Sequence, residues 1–563
     1  MSVASSIADL LHRHAQRQPQ APALLFLERG ERPGASDSYA SLDLRARQAA
    51  AHLLAAGLRG RPVLLACEAG LSFIHAFLGC LYAGVLPVPV PATLRRQQGA
   101  RQRLVARDAC PAAVIADDPA VVAELADGAP LPCLLPQELQ CPDRPPLKAP
   151  LPAAAGDIAF IQYTSGSTSA PKGVVVTHGN IMANQAMIQA AFGHGPETVV
   201  LSWLPLHHDM GLIGSILQPL YLGGRCVLMS PLSFLQRPAR WLRAIAAHRA
   251  TTSGAPNFAY ELCLRHVTDA QLEGLDLSSW RLAFCGAEPV RMRSMRRFAD
   301  RFAAAGFDAG ALYPCYGMAE ATLFIAGGRA GQGARGRDFE RRRFAEVATD
   351  GAARQSIASC GAAWAPGRLA VAGPGAVALP PGELGEICVA GPHVSPGTWA
   401  PAVPGGIAPY AGRLVTLDGV AHLRSGDAGI LVEGELHVLG RLKDMIIIRG
   451  ANLYAEDLEM TLLEQPEAAE IEAAAAIAVE RDAAEVLVLL CEASARGRRE
   501  GVPAALAAAL ARRLAEAHGL APAEMVLVPP RGLPRTTSGK VQRGAARAAW
   551  LERRLPLLEW GAA

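Results

Sequence analysis

Short apolar runs recur through the first two-thirds of the chain, separated by helix-patterned stretches, and this alternation limits the fold more than any single motif. "RPVLLAC" (61–67), "PAAVIA" (111–116), "GVVVTH" (173–178), "GRCVLM" (224–229) and "RLAFCGAE" (281–288) have the length and apolar content of buried strands. Between them lie stretches such as "RPARWLRAIAAHR" (237–249), with apolar residues at helical spacing. Strands alternating with helices imply a layered α/β architecture. No repeat of solenoid type is present. At 563 residues the chain exceeds what one hydrophobic core fills, and about two to four domains are expected.

The pattern changes twice. Residues 327–356 are rich in Gly and Arg and poor in periodicity, and a structureless stretch of that length is functional or disordered. After it, "GELGEICVAG" and "GILVEGELHVLG" suggest a small all-β subdomain. From Arg441 onward the chain reads as a compact α+β tail, with helices "AEDLEMTLLEQ" and "PAALAAALARRLAEAHG" and strands "EAAAAIAVE", "EVLVLLCEAS" and "EMVLVPP". The first of these strands conflicts with the preference of alanine for helix. The expected division is a large domain over 1–440 and a small one over 441–563.

Composition narrows the class. Hydrophobic residues make up 51% and charged residues 19%, as in globular proteins, and a net charge of +3 calls for no nucleic-acid partner. The N-terminal stretch reads as a surface helix without an apolar signal core. Leu71–Val90 is the one span resembling a membrane segment. It contains His75 and two prolines without flanking basic anchors, and reads as a buried helix leading into a strand. No transmembrane segment is therefore expected. The 12 cysteines contain no C-x-x-C pair, so neither a zinc site nor a disulfide framework is visible, which fits a reducing cytoplasm.

"YTSGSTSAPKGVVVTH" (163–178) offers hydroxyls and backbone N–H groups in a concave loop suited to phosphate oxygens. Gly166 and Gly173 allow positive φ and close approach, and Lys172 adds a point charge. The order differs from that of a P-loop, and a Ser/Gly/Thr loop in isolation is also a common linker. Four other stretches bear on the choice. "YGMAEATL" (316–323) sets an aromatic ring beside Glu320, able to stack on a purine and to hold a phosphate-bound Mg²⁺ respectively. "RSGDAG" (424–429) presents Asp427 to accept hydrogen bonds from a ribose diol. "GRLKDMIIIRGANLYAEDLE" (440–459) carries Arg441 at the domain junction, and "LPRTTSGKVQRG" (533–544) sets Lys540 on a glycine-containing loop.

In this order, over essentially the whole chain, the five stretches resemble the adenylate-forming superfamily of acyl-CoA synthetases, luciferases and peptide-synthetase adenylation domains. "WLPLHHDMGLIG", "SGAPNFAYELC" and "YGMAEATLF" are most similar to the fatty acyl-AMP ligases, and the Gly/Arg-rich segment ending in "SIASCG" falls where that subfamily has its insertion. The resemblance implies a large adenylate-forming domain, with a mobile tail domain that rotates between two half-reactions. A fatty acid and ATP give acyl-adenylate and pyrophosphate, and the acyl group passes to the phosphopantetheine thiol of an acyl carrier protein. It also implies roles. Thr164, Ser165, Gly166, Ser167, Thr168 and Lys172 would cradle the β- and γ-phosphates, and Glu320 would hold Mg²⁺. Tyr316 would stack on adenine, with Gly317, Met318 and Ala319 continuing the same motif and Gly286, Ala287 and Glu288 forming an adjoining wall. Asp427 and Arg441 would hold the ribose, Lys540 would bridge carboxylate and α-phosphate, Lys443 would be the hinge, and His208 would gate the acyl entrance.

His207, His208 and Asp209 also invite a metal reading, against which stand the expectation that adjacent histidines point apart and the lack of a third clustered ligand. Asp209 lies where amino-acid-activating relatives bind the substrate amine, so the acid remains open, although Met210, Leu212 and Ile213 suit an alkyl chain. Ser425 and Thr398 depart from the family pattern, and "AVPGGIAPYAGRLVTLDGVAH" (402–422) has no functional reading. No carrier segment is visible, so a carrier protein would act in trans. The insertion implies rejection of CoA, while its arginines fit either an acidic carrier surface or simple solvation. The alternatives are an acyl-CoA synthetase or amino-acid ligase of the same superfamily, and a nucleotide-binding regulator without catalysis.

Overall fold

The computed structural model describes residues 5–92, 99–125, 131–164, 171–340, 354–448, 451–463, 465–481, 484–518, 522, 524–536 and 539–560. Its largest sheet has nine strands, in the spatial order Ala362–Ala363, Phe324–Gly327, Leu312–Gly317, Leu282–Cys285, Thr252–Ala255, Val199–Ser202, Arg225–Met229, Pro22–Glu28 and Arg32–Ser38. The interior pairings are parallel and both edges are antiparallel. The apolar runs at 224–229 and 281–288 lie among the parallel strands. There the strands Leu282–Cys285 and Thr252–Ala255 are buried at every position, as a sheet covered on both faces requires.

A second, parallel sheet orders Leu86–Pro89, Pro62–Ala66, Ala113–Ala116 and Cys133–Leu134. Leu71–Val90 is the buried helix Leu71–Ala83 followed by the strand Leu86–Pro89. Among the described residues no helix is long and apolar enough to cross a membrane. The N-terminal helix Ile7–Arg17 buries Ile7, Ala8 and Leu11 and exposes its other face.

The Gly/Arg-rich segment is not structureless throughout. Gly336–Glu340 pairs antiparallel with Arg354–Ala358, while 341–353 lie outside the described residues. The β region beyond it forms a five-stranded sheet in which the long strand Val420–Val432 pairs with Leu384–Ala390, Leu414–Leu417 and Glu435–Arg441.

In the tail, Ile471–Arg481, Ala484–Ala493 and Glu524–Val528 form a three-stranded sheet. Alternate residues of these strands point to opposite faces, and both faces are covered. Ala474, Ala476, Leu487 and Leu489 share a cluster with Leu458, Leu462, Leu506 and Leu510. Ala473, Ala475, Val488 and Leu490 share another with Ala546 and Ala549. Tertiary burial overrides the helical preference of the alanines, and small side chains let helices approach from both sides.

Candidate active site

The strand Ile158–Tyr163 pairs antiparallel with Gly173–Thr177, so the Ser/Gly/Thr loop is the connection of a hairpin. Its base is tied down: Thr164 N–H donates to the Lys172 carbonyl at 3.4 Å, and the Tyr163 hydroxyl donates to Asp108 at 2.5 Å. Lys172 is exposed and lines the central cleft with Thr164. Ser165, Gly166, Ser167 and Thr168 lie outside the described residues. Gly173 is not at positive φ, contrary to expectation. It lies in the strand, where a Cβ would stand 2.7 Å from the Ile161 side chain and 2.9 Å from the Tyr163 ring, so close packing selects the glycine.

Glu320 sits on a tight reversal at the end of the strand Leu312–Gly317. Met318 N–H donates to the Leu323 carbonyl at 2.9 Å, Ala319–Ala321 form a 3₁₀ turn, and Thr322 adopts φ +67° and ψ −64°. That conformation is the strained γ-turn. The Thr322 hydroxyl, donating to the His393 carbonyl at 2.7 Å, helps to hold it. Only a glycine fits at 317, because a Cβ there would fall 1.9 Å from the Leu323 carbonyl oxygen. A second strained residue, Ala287 at φ +65°, lies between Gly286 and Glu288. The Glu288 carboxylate accepts from the Phe258 N–H at 2.6 Å, at the start of the helix Asn257–His266.

Tyr316 is buried, and its hydroxyl donates to Asp427 Oδ2 at 2.7 Å. Asp427 and Arg441 are direct cross-strand partners, with Arg441 Nε 3.5 Å from Asp427 Oδ1. Strand pairing thus brings together two residues that are 14 positions apart in the chain. Burial raises the Asp427 carboxyl above its ordinary range, opposed by the Arg441 charge and the Tyr316 hydroxyl.

Lys540 caps this cleft from the tail. Its N–H donates to Thr536 Oγ1 at 3.1 Å and its carbonyl accepts from Thr536 N–H at 2.7 Å, closing a small loop. Each end of the loop is anchored by an ion pair. Arg535 reaches the buried Glu492 at 2.7 Å, and Arg543 reaches Glu459 at 2.7 Å, Glu456 at 3.1 Å and Asp444 at 3.2 Å. Burial lowers the Lys540 ammonium below the ordinary lysine value. The charge of Glu288 works against this shift, Arg441 reinforces it, and Asp209 also opposes it, so the ammonium lies within the field of all three. Lys443 is lowered by burial and by the neighbouring Arg441.

The histidine pair does not splay apart. The His207 and His208 ring centroids are 4.7 Å apart at 43°, because the chain turns here instead of continuing as a strand. Burial, then the His208 charge, holds His207 well below its ordinary value. Among the described residues no group of three His, Cys, Asp or Glu is arranged to hold a metal. Asp209 Oδ1 accepts from Met210 N–H at 2.8 Å and caps the π-helix Met210–Leu217, while burial raises its carboxyl to about 6. His208, Asp209, Tyr316, Glu320, Asp427, Arg441 and Lys540 all border one cleft of about 2830 Å³. That volume exceeds the usual range for a single small ligand.

A model of the family described as AMP-binding enzyme matches residues 11–399. The chain belongs to this family. It is 35% identical to "Medium-chain-fatty-acid--[acyl-carrier-protein] ligase JamA" of Moorena producens, over 97% of this chain and 95% of that one. It is 36% identical to "Long-chain-fatty-acid--AMP ligase FadD26" of Mycobacterium marinum, over 96% of each. Among solved structures, one from a study of fatty acyl-adenylate ligases of E. coli and L. pneumophila superposes with a TM-score of 0.86 at 31% identity, covering 98% of both chains. The family likeness thus extends to fatty acyl-AMP ligases across nearly the full length.

Two further features of this AMP-binding enzyme escape sequence reasoning. Glu386, buried on the strand Leu384–Ala390, accepts from Gly426 N–H at 2.9 Å and pairs with Arg424 at 2.5 Å, clamping the turn that presents Asp427. Arg413, in the stretch without a functional reading, donates to Glu320 Oε1 at 2.9 Å. The cleft also extends between the helices Pro231–Gln236 and Asn257–His266, where Leu232 and Leu235 are 58% and 52% exposed beside Phe258 and Leu262. These two leucines give this arm of the cleft an apolar, solvent-open wall.

Proposed function

We propose that this chain is a fatty acyl-AMP ligase that charges an acyl carrier protein supplied in trans. The observation that carries the reading is the convergence on one cleft of Tyr316, Asp427 and Arg441, Glu320 and the Lys540 loop, in a chain whose relatives are named as fatty acid–carrier protein and fatty acid–AMP ligases. Adenine stacks on Tyr316, Asp427 accepts from the ribose hydroxyls beside Arg441, and the Thr164–Lys172 loop cradles the β- and γ-phosphates. The fatty carboxylate attacks the α-phosphorus in line. One P–O bond forms, the bond to the β-phosphate bridge breaks, and pyrophosphate leaves. Lys540 supplies positive charge to the attacking carboxylate and the α-phosphoryl oxygens.

Magnesium is suited to this site as an ion shared between Glu320 and the substrate phosphates. Glu320, which belongs to no three-residue cage among the described residues, fits an ion that binds through one or two carboxylates plus substrate phosphates. Bound there, it would neutralise the departing pyrophosphate. In the second half-reaction the tail, 441–563, rotates about Lys443 and withdraws Lys540. A phosphopantetheine thiol then attacks the acyl carbonyl, forming a thioester and releasing AMP. His208 gates the acyl entrance. The alkyl chain lies along Leu232, Leu235, Phe258 and Leu262, and the engagement of Asp209 with Met210 N–H favours an apolar acid over an amino acid. The chain acts in the cytoplasm, and its insertion disfavours CoA.

Mass spectrometry of products from dodecanoate, ATP and Mg²⁺, with CoA or a holo carrier protein, tests this. Acyl-AMP that persists beside CoA and moves onto the carrier is expected. Dodecanoyl-CoA as the main product would overturn the choice of thiol. Absence of any adenylate, with amino acids giving pyrophosphate exchange instead, would overturn the choice of acid.

A further inference from the structure

Arg413 connects two parts of the cleft that no motif connects. Its Nη1 donates to Glu320 Oε1 at 2.9 Å. Nε and Nη2 donate to the Arg424 carbonyl at 3.2 and 2.9 Å, and Nη2 also reaches the Ser425 carbonyl at 3.5 Å. Those carbonyls belong to the turn that leads into Asp427. The guanidinium carbon lies 5.3 Å from the centre of the Tyr410 ring, and the Arg413 N–H donates to the Tyr410 carbonyl at 3.2 Å. A planar group held by two backbone carbonyls and a ring has little freedom left, so its remaining nitrogen points in a fixed direction.

We propose that Arg413 is a positioning residue for the divalent cation that accompanies ATP, an inference that rests on the function proposed above. By engaging one oxygen of Glu320, Arg413 fixes the carboxylate plane and leaves the second oxygen to a cation. Carboxylate ligands are commonly held in this way by outer hydrogen-bond donors, whose loss weakens metal affinity or activity by about 10–100-fold. Lysine has one compact ammonium and cannot bond the Arg424 carbonyl and Glu320 in the same fork, so it is expected to restore only part of the effect.

The test is titration calorimetry of α,β-methylene-ATP at a series of Mg²⁺ concentrations, with AMP as the cation-independent ligand. Wild type, Arg413→Gln and Arg413→Lys are compared after thermal melts confirm folding. Arg413→Gln is expected to raise the Mg²⁺ concentration for half-maximal analogue binding by about tenfold or more. AMP affinity changes within about twofold, and Arg413→Lys lies between. An unchanged Mg²⁺ requirement overturns the proposal. So does an equal loss of AMP and analogue affinity, which would make Arg413 a general prop of the pocket. Failure of the wild type to bind either nucleotide would instead remove the functional reading, and this inference with it.

Discussion

The two sides of the cleft are built differently. On the side proposed to hold the nucleoside, Tyr316, Asp427 and Arg441 project from paired strands. The turn before Asp427 is clamped by Glu386 and bonded by Arg413, and the Asp427 N–H donates to Ser425 Oγ at 3.0 Å. Elsewhere on the cleft, Lys540 rides on a short loop closed by backbone bonds between Thr536 and Lys540 and between Gln542 and Pro534, with charged anchors at Arg535 and Arg543. One side is part of an extended hydrogen-bonded sheet, the other a short loop held by a few backbone bonds and by ion pairs at its ends. Groups needed throughout a two-step reaction gain from the first construction. Under the proposed rotation of the tail, a group needed in one step gains from the second, because ion pairs within the tail would be carried along with the loop.

Lys540→Ala tests that division with the largest effect. Adenylate formation should fall by about 10²–10³-fold, as on loss of a donor to transition-state charge, while thiol transfer from supplied acyl-AMP persists. Equal loss of both steps, measured by single-turnover kinetics, would break the comparison. Asp427→Asn should act in the opposite manner. The adenosine moiety is present in both steps, so both should weaken, with KM for ATP rising about 10-fold or more from the loss of charge-assisted hydrogen bonds.

A smaller effect concerns Asp209, whose carboxyl is raised to about 6 by burial from the ordinary 3.8. The folded state binds this proton more tightly than the unfolded state. Its contribution to stability is therefore full below about 4, declines as pH rises through about 6, and is constant above. Asp209→Asn should remove that slope. Urea midpoints of the variant and wild type should diverge between about pH 4 and 6 and run parallel at higher pH. A constant difference across the range would mean that Asp209 does not titrate there.

Much of the layered architecture was legible because parallel, doubly covered strands must be almost wholly apolar, and runs such as "GRCVLM" and "RLAFCGAE" are. The alanine-rich strand 471–481 was less so, since intrinsic propensity and final environment disagree there. Within the site, the groups on compact motifs stood out: Glu320 beside Tyr316, Asp427 among glycines, Lys540 after Gly539. Arg413 and Glu386 did not. Arg413 meets Glu320 across 93 positions and Glu386 meets Gly426 across 40, and neither flanking sequence carries a signature. The histidine pair misled for a related reason, because side-chain direction follows from a turn that pattern alone does not specify.

The sequence by itself determined most of the apolar strands and amphipathic helices, since burial periodicity is a local property, while the alanine-rich strand 471–481 took its form from tertiary burial. It also determined which chemical groups the cleft can offer, since side-chain chemistry does not depend on the fold. Only the tertiary structure decided which of those groups face one another, how each is oriented, and how its charge is balanced. Hydrogen bonds and desolvation act over a few ångströms of space, whatever the distance along the chain.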